Sequence, residues 1–195
     1  MTIRKGEPWG AEVARPTELL VVGSDRELAA EVARGSERPI GVDAGDVYAA
    51  VGSPAARDPV YLLPMDALRV EADGRSYLAV AHVLARRSWW RGRIVAVMNV
   101  GHRGSWNVAP RAHPNDGRME VIEVAAAMTL RQRLQARARL EAGTHVPHPH
   151  IATRSVPEAS WRFDRPMRVW VDGSPVGPVR DLRVAVDADA FAVHL

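Results

Sequence analysis

Three aspartates of this 195-residue chain are each followed by glycine, at Asp73-Gly74, Asp116-Gly117 and Asp172-Gly173. Asp-Gly is a tight-turn signal, because both residues tolerate positive φ. On that reading each carboxylate is structural. Other chemistry is open to such a group: with carbonyl oxygens beside it, an aspartate suits a hard cation. A second chemistry-bearing stretch is Arg86-Arg87-Ser88-Trp89-Trp90-Arg91-Gly92-Arg93. Tryptophan prefers the headgroup region of a membrane and arginine attracts anionic lipid. Trp89, Trp90, Arg91 and Arg93 are therefore a candidate lipid-facing surface, set against the plainer reading of a Trp pair packed on a sheet edge. The run from Thr144 to His150 holds His145, His148 and His150 between prolines. No Cys or paired acid nearby completes a zinc set, so metal binding there is not expected.

Composition narrows the classes. The absence of cysteine excludes disulfides and thiolate metal sites. With 47% hydrophobic and 25% charged residues, the chain is an ordinary globular sequence able to bury a core. Lys5 is the only lysine, so nearly all cationic charge is arginine, which grips phosphate bidentately. The net charge is only +3 and acids are interspersed, so no nucleic-acid partner is expected. There is no run of 18 apolar residues, and the segment Met1 to Trp9 lacks the apolar core of a signal peptide. The expectation is a cytoplasmic protein, with a peripheral position at the inner face of a membrane as an option.

The elements that would position these residues divide at about residue 66. Residues 1–66 read as a small α/β piece: an apolar strand at Glu18–Val22, a helix from Asp25 to Ala33, and a second strand at Ile40–Val42. From Ala67 to Leu195 the texture is β, with Leu68–Ala72 and Ser76–Ala85 as a hairpin around Asp73-Gly74. Further strands are expected at 94–100, 119–125, 167–171 and 182–186, the last two alternating with period two. One helix, Ala126 to Glu141, is expected to bury Leu130, Leu134 and Ala138, with Arg131, Arg133, Arg137 and Arg139 on its opposite face. The fold class is mainly β: a two-layer antiparallel β-sandwich with one main helix and a truncated α/β appendage.

The string Asn107-Val108-Ala109-Pro110-Arg111-Ala112-His113-Pro114-Asn115-Asp116-Gly117, followed by the basic helix and by Val171-Asp172-Gly173, resembles the bacterial diacylglycerol and sphingosine lipid kinases. The likeness lies chiefly in their C-terminal β-sandwich domain. It implies a structural Mg²⁺ or Ca²⁺ on the Asp116 carboxylate, helped by the carbonyls of His113 and Arg118. It also implies a general-base role for Asp172, which must then reach a lipid hydroxyl with a matched pKa. In that family a second acid follows the Asp-Gly pair, whereas here Ser174 stands in its place.

The nucleotide loop of the family resembles G-G-D-G-T-L, and the matching string is Gly23-Ser24-Asp25-Arg26-Glu27-Leu28. Gly23, Ser24 and Asp25 are the remnant nucleotide-binding positions. Arg26 fills space meant for phosphate, and Glu27 repels the anion. The next loop survives as Asp43-Ala44-Gly45-Asp46 leading to Gly52. The expectation is a degenerate relative of the lipid kinases that binds a lipid or a phosphorylated amphipathic ligand. The alternatives are an active ATP-dependent lipid kinase completed by a partner chain, and a structural interaction module. An exposed sandwich edge leaves room for a second copy or another chain.

Overall fold

The computed structural model describes residues 9–56 and 58–195; residues 1–8, read above for a signal segment, lie outside the described residues. The architecture is mostly β, as the sequence predicts. Among the described residues, thirteen strands and three helices follow in chain order. They are β1 (Ala11–Val13), β2 (Leu20–Val22), α1 (Asp25–Ala33), β3 (Ile40–Val42), α2 (Asp46–Ala50), β4 (Val60–Ala72), β5 (Arg75–Ala79) and β6 (His82–Arg86). Then come β7 (Ile94–Met98), β8 (His102–Arg103), β9 (Trp106–Asn107), β10 (Met119–Val124), α3 (Leu130–Ala138), β11 (Ile151–Val156), β12 (Glu158–Val171) and β13 (Ser174–His194).

The main sheet runs β1-β4-β13-β12-β6-β7-β10-β11, with β5 on β4. Its antiparallel pairs close on a core that includes Leu68, Val83, Val97, Met119, Phe163, Val169 and Leu182. Strand alternation explains the membership: Val95 and Val97 of β7 point into this core, while Ile94, Ala96 and Met98 point to the other face. That second face is also buried, under Met128 and Ala109, so β7 has no solvent side. Each fully buried Val, Leu or Met contributes roughly 1.5–3 kcal/mol of transfer free energy.

Strand β4 runs unbroken through residues 66 and 67, where the sequence suggests a boundary. The N-terminal elements join the same sheet, because β3 pairs in parallel with β13 at Gly41 and His194. They share a core as well: Leu28, Val42 and Val47 pack with Met65, Val80, Val100 and Val193.

Two local expectations are corrected. The strand predicted over Ser76–Ala85 is two strands, β5 and β6, interrupted at Val80-Ala81. The helix α3 is shorter than 126–141 and faces the other way. Leu130 and Leu134 are 54% and 49% exposed, Ala138 is exposed, and Arg133 is buried. Arg133 turns inward because backbone carbonyls there require a donor: it reaches those of Met128, Trp89, Gly92 and Ala125. A buried guanidinium satisfied by four carbonyls outweighs the burial of two leucines on one helix turn. Thr129 starts α3 through a capping box with Gln132.

Candidate ligand site

Asp172 sits in the two-residue turn between β12 and β13, with φ of 43° and Gly173 at 76°. This left-handed pair is what Asp-Gly supplies in a hairpin. The carboxylate turns inward to the β5–β6 break, where it accepts the N–H groups of Val80 (2.8 Å), Ala81 (3.0 Å) and His82 (2.8 Å). The interruption of the predicted strand is thereby explained: a side chain replaces the missing strand partner. Burial pushes the Asp172 pKa up to about 7, against three backbone donors that favour the ionised form. Asp73 plays the same turn role on the surface, accepting the N–H groups of Arg180 and Asp181.

His82 is 4% exposed, and neither ring nitrogen makes a hydrogen bond. Its Nδ1 lies 3.4 Å from Asp46 Oδ2 without the alignment a hydrogen bond needs. Burial, with the nearby Arg103 cation, holds its pKa down at about 4, so the imidazole is neutral at pH 7. Asp46 accepts the N–H of Gly104 at 2.6 Å. Asp25 accepts those of Asp46 (2.7 Å) and Val47 (2.9 Å), so it caps α2. Burial raises the pKa of both aspartates, and the charge of Asp25 adds to the effect on Asp46 and on Asp172. Gly45 makes the approach possible: its φ is +103°, and a Cβ there would lie 2.7 Å from Asp25 Oδ1. Three aspartates and one neutral histidine thus converge where the α/β elements meet the sandwich.

The loop expected to hold phosphate is self-satisfied. The Gly23 N–H donates to Glu27 Oε2 at 2.9 Å, and the Ser24 hydroxyl accepts from the Glu27 N–H as the N-cap of α1. A carboxylate of the chain itself sits where an anion would be bound.

Asp116 lies in the turn before β10, with its Oδ1 accepting the Arg118 N–H at 2.9 Å. Burial raises its pKa, and the neighbouring carboxylates of Asp66 and Glu120 add to the rise. His113 accepts the Asn115 N–H on Nδ1, and its ring meets Trp9 edge-on at 4.7 Å. The turn is anchored by Asp66, fully buried in β4, which accepts the N–H groups of Gly117 (2.7 Å) and Asp189 (2.9 Å). The buried Asn115 Oδ1 has no hydrogen-bond donor. Among the described residues no three His, Asp or Glu side chains converge as a metal set. The donors do fit a hard cation held by one carboxylate with carbonyls, since crowded negative charge and an unpartnered amide oxygen are what such an ion relieves.

Beneath α3 lies an apolar cavity of about 200 Å³. Leu84, Ala96, Met98, Ile122 and Met128 are among its lining residues, His82, Arg133 and His145 are its buried polar groups, and Trp90 and Arg137 line it as exposed residues. The Arg86 guanidinium is held between Trp89 (4.1 Å) and Trp170 (4.4 Å), and Trp89 meets Trp106 edge-on at 6.0 Å. Of the four residues singled out for a lipid surface, Trp89 and Trp90 line this cavity, Arg91 is exposed, and Arg93 is ion-paired with Glu123.

The sequence reading passed over Asp66, His82 and Asn99, the last a buried amide that donates to the Asp66 and Val80 carbonyls, and it set Arg133 on the outer face of its helix. A signal existed for the first three, each a polar residue inside an apolar strand-forming run. Arg133 carried none, being one of four arginines on a basic helix.

Residues 58–194 match the protein family described as the YegS C-terminal NAD kinase beta sandwich-like domain. No curated protein matches the sequence. Among solved structures, a candidate diacylglycerol kinase from Bacillus anthracis str. Sterne superposes with a TM-score of 0.65 at 10% identity, covering 90% of this chain and 77% of that one. A second structure under a diacylglycerol kinase description from the same organism gives 0.63 at 11% identity, with 90% and 75% covered. A third gives 0.67 at 10%, with 90% and 77% covered. At these identities the likeness is one of fold.

Proposed function

Because the chain belongs to the family of the YegS C-terminal NAD kinase beta sandwich-like domain, we propose that it binds a lipid or similar amphipathic ligand in the cavity beneath α3 and does not itself transfer phosphate from ATP. The observation that carries the non-kinase part is the Gly23–Glu27 hydrogen bond, which places a carboxylate at the loop amide. Asp172 supports it, since both its oxygens are engaged by backbone donors and Ser174 follows where the family has a second acid. The cavity supports ligand binding: its walls take an alkyl chain, and the unpartnered nitrogens of His82 meet a hydroxyl or carbonyl at the polar end. Asp116 holds a structural divalent cation in the same proposal, with the carbonyls of His113 and Arg118.

The test incubates the full chain with labelled ATP, Mg²⁺ and mixed lipid vesicles, and separately titrates a fluorescent fatty-acid probe. No label in lipid is expected, together with saturable probe binding that Ala96→Met removes by filling the cavity. Label transfer abolished in Asp172→Ala overturns the non-kinase reading, and unchanged probe binding in the Ala96 variant overturns the cavity.

A second reading is favoured by one feature. A pKa of about 7 at Asp172 is the value a general base needs at neutral pH, which suits an ATP-dependent lipid kinase whose nucleotide site a partner chain completes. Phosphate transfer only in the presence of a co-purifying chain would select it.

A further inference from the structure

We propose that Leu130, Leu134 and Trp90 form the membrane-seating rim of the cavity, docking this face on an anionic bilayer through Arg87, Arg91 and Arg131. The inference rests on the ligand reading above and names where the ligand comes from.

Five large hydrophobic residues are exposed among the described residues: Val21, Tyr61, Trp90, Leu130 and Leu134. Three of the five belong to α3 and the loop it packs on. Arg133 ties the two together through the Trp89 and Gly92 carbonyls, and the Arg137 guanidinium lies 5.6 Å from the Trp90 ring. The leucines are outside by construction, since the inward position of the helix is taken by Arg133. Leaving Leu130 and Leu134 half in water is unfavourable unless an apolar phase covers them.

The charge around them identifies that phase. Segments 86–93 and 130–141 carry four arginines each and a single acid, Glu141. Arg87, Arg91 and Arg131 are exposed and have no acidic partner among the described residues. A second copy presenting the same face would bring like charges together, whereas an anionic bilayer complements them. Leucine side chains enter the acyl boundary, tryptophan sits at headgroup depth, and arginines reach the phosphates. Trp90 and Arg137 both line the cavity and are exposed, so the cavity opens on this face. A lipid then passes between bilayer and cavity without crossing water.

The test is sedimentation of the full chain with phosphatidylcholine vesicles, with and without phosphatidylglycerol. Binding is expected only when phosphatidylglycerol is present. Leu130→Ser with Leu134→Ser should weaken it about tenfold or more. Gln in place of Arg87, Arg91 or Arg131 should weaken it about fivefold each. Both leucines are half exposed and outside the cavity lining, so the double variant should bind the fatty-acid probe in lipid-free buffer like the wild type. Ala96→Met should show the converse, losing the probe and keeping the vesicles, which separates failure of this surface from failure of the cavity. Wild-type sedimentation by the double leucine variant overturns the proposal, as does equal binding to phosphatidylcholine alone. A wild-type dimer in ultracentrifugation that the leucine substitutions convert to monomer also overturns it, assigning the face to a second copy.

Discussion

Asp172 and His82 are tied reciprocally: the Asp172 carboxylate accepts the His82 N–H at 2.8 Å, and the His82 carbonyl accepts the Asp172 N–H at 3.0 Å. A turn residue and a strand residue 90 positions apart therefore share one buried joint. Their ionisations are displaced in opposite senses, the acid upward to about 7 and the imidazole downward to about 4.

That opposition predicts a hidden pH dependence. Between the unfolded value of 3.8 and about 7, folded Asp172 retains a proton the unfolded chain has lost, so its contribution to stability falls as pH rises. Between about 4 and 6.5, unfolded His82 binds a proton the folded form refuses, so its contribution rises with pH. Each slope is about 1.4 kcal/mol per pH unit, and the two cancel over the shared window. Relative to wild type, His82→Gln should lose stability as pH rises from about 4 to 6.5, and Asp172→Asn should gain it from 3.8 to about 7. Urea unfolding at stepped pH reads both, and parallel curves for the three proteins would refute the assignment.

Gly45→Ala should destabilise the fold by about 2 kcal/mol or more, because it combines a positive φ with a Cβ driven into the Asp25 carboxylate. The Asp25 cap on α2 would be lost with it. Comparison of denaturation midpoints checks the size, and Gly52→Ala is a useful control, since φ is also positive there but nothing lies within 4 Å.

Arg133→Met keeps the apolar stem and removes every donor to the carbonyls of Met128, Trp89, Gly92 and Ala125. A cost of about 3 kcal/mol or more is expected for those orphaned acceptors. The loop carrying Trp89 and Trp90 should loosen, which near-ultraviolet circular dichroism would register as loss of aromatic signal.

Glu27→Ala removes the acceptor for the Gly23 N–H at the start of α1. The expected cost is about 1 kcal/mol, typical of a helix N-terminal acid that also takes a hydrogen bond. Glu27→Gln should recover most of it, since the amide oxygen still accepts. Thermal midpoints of the two variants distinguish hydrogen bonding from charge.

Adding Mg²⁺ or Ca²⁺ should raise the thermal midpoint of the wild type and leave that of Asp116→Ala unchanged, because an ion that binds only the folded form stabilises it by mass action. An equal shift in both proteins would remove Asp116 as the ligand. Asp66→Asn should diminish the response without touching Asp116, by loosening the turn that Asp66 holds through the Gly117 amide.

Much of the fold was legible because its signals are local. Apolar runs with β texture marked β4, β7, β10, β12 and β13, and the span of α1 matched its prediction, since Ser24 as N-cap and spaced apolar residues need no distant partner. Asp73 and Asp172 were visible as turn residues for the same reason, and both adopt the positive φ of that role. The inward face of α3 was not legible. Helical spacing placed Leu130 and Leu134 inside, and only the carbonyls of the 89–92 loop and of residues 125 and 128 explain why Arg133 took that position. The strand break at Val80-Ala81 was equally hidden, since its cause is a carboxylate more than 90 residues further along the chain.

The sequence by itself determined the mainly β class, the turns, α1 and the set of aspartates able to carry chemistry, because periodicity and Asp-Gly geometry act within a few residues. Tertiary structure alone decided that Asp172 faces Val80, Ala81 and His82, that Glu27 occupies the loop amide, and that α3 shows leucine to the outside. These outcomes depend on which buried donors and acceptors lack a partner once the sheet has closed, and that balance exists only in three dimensions.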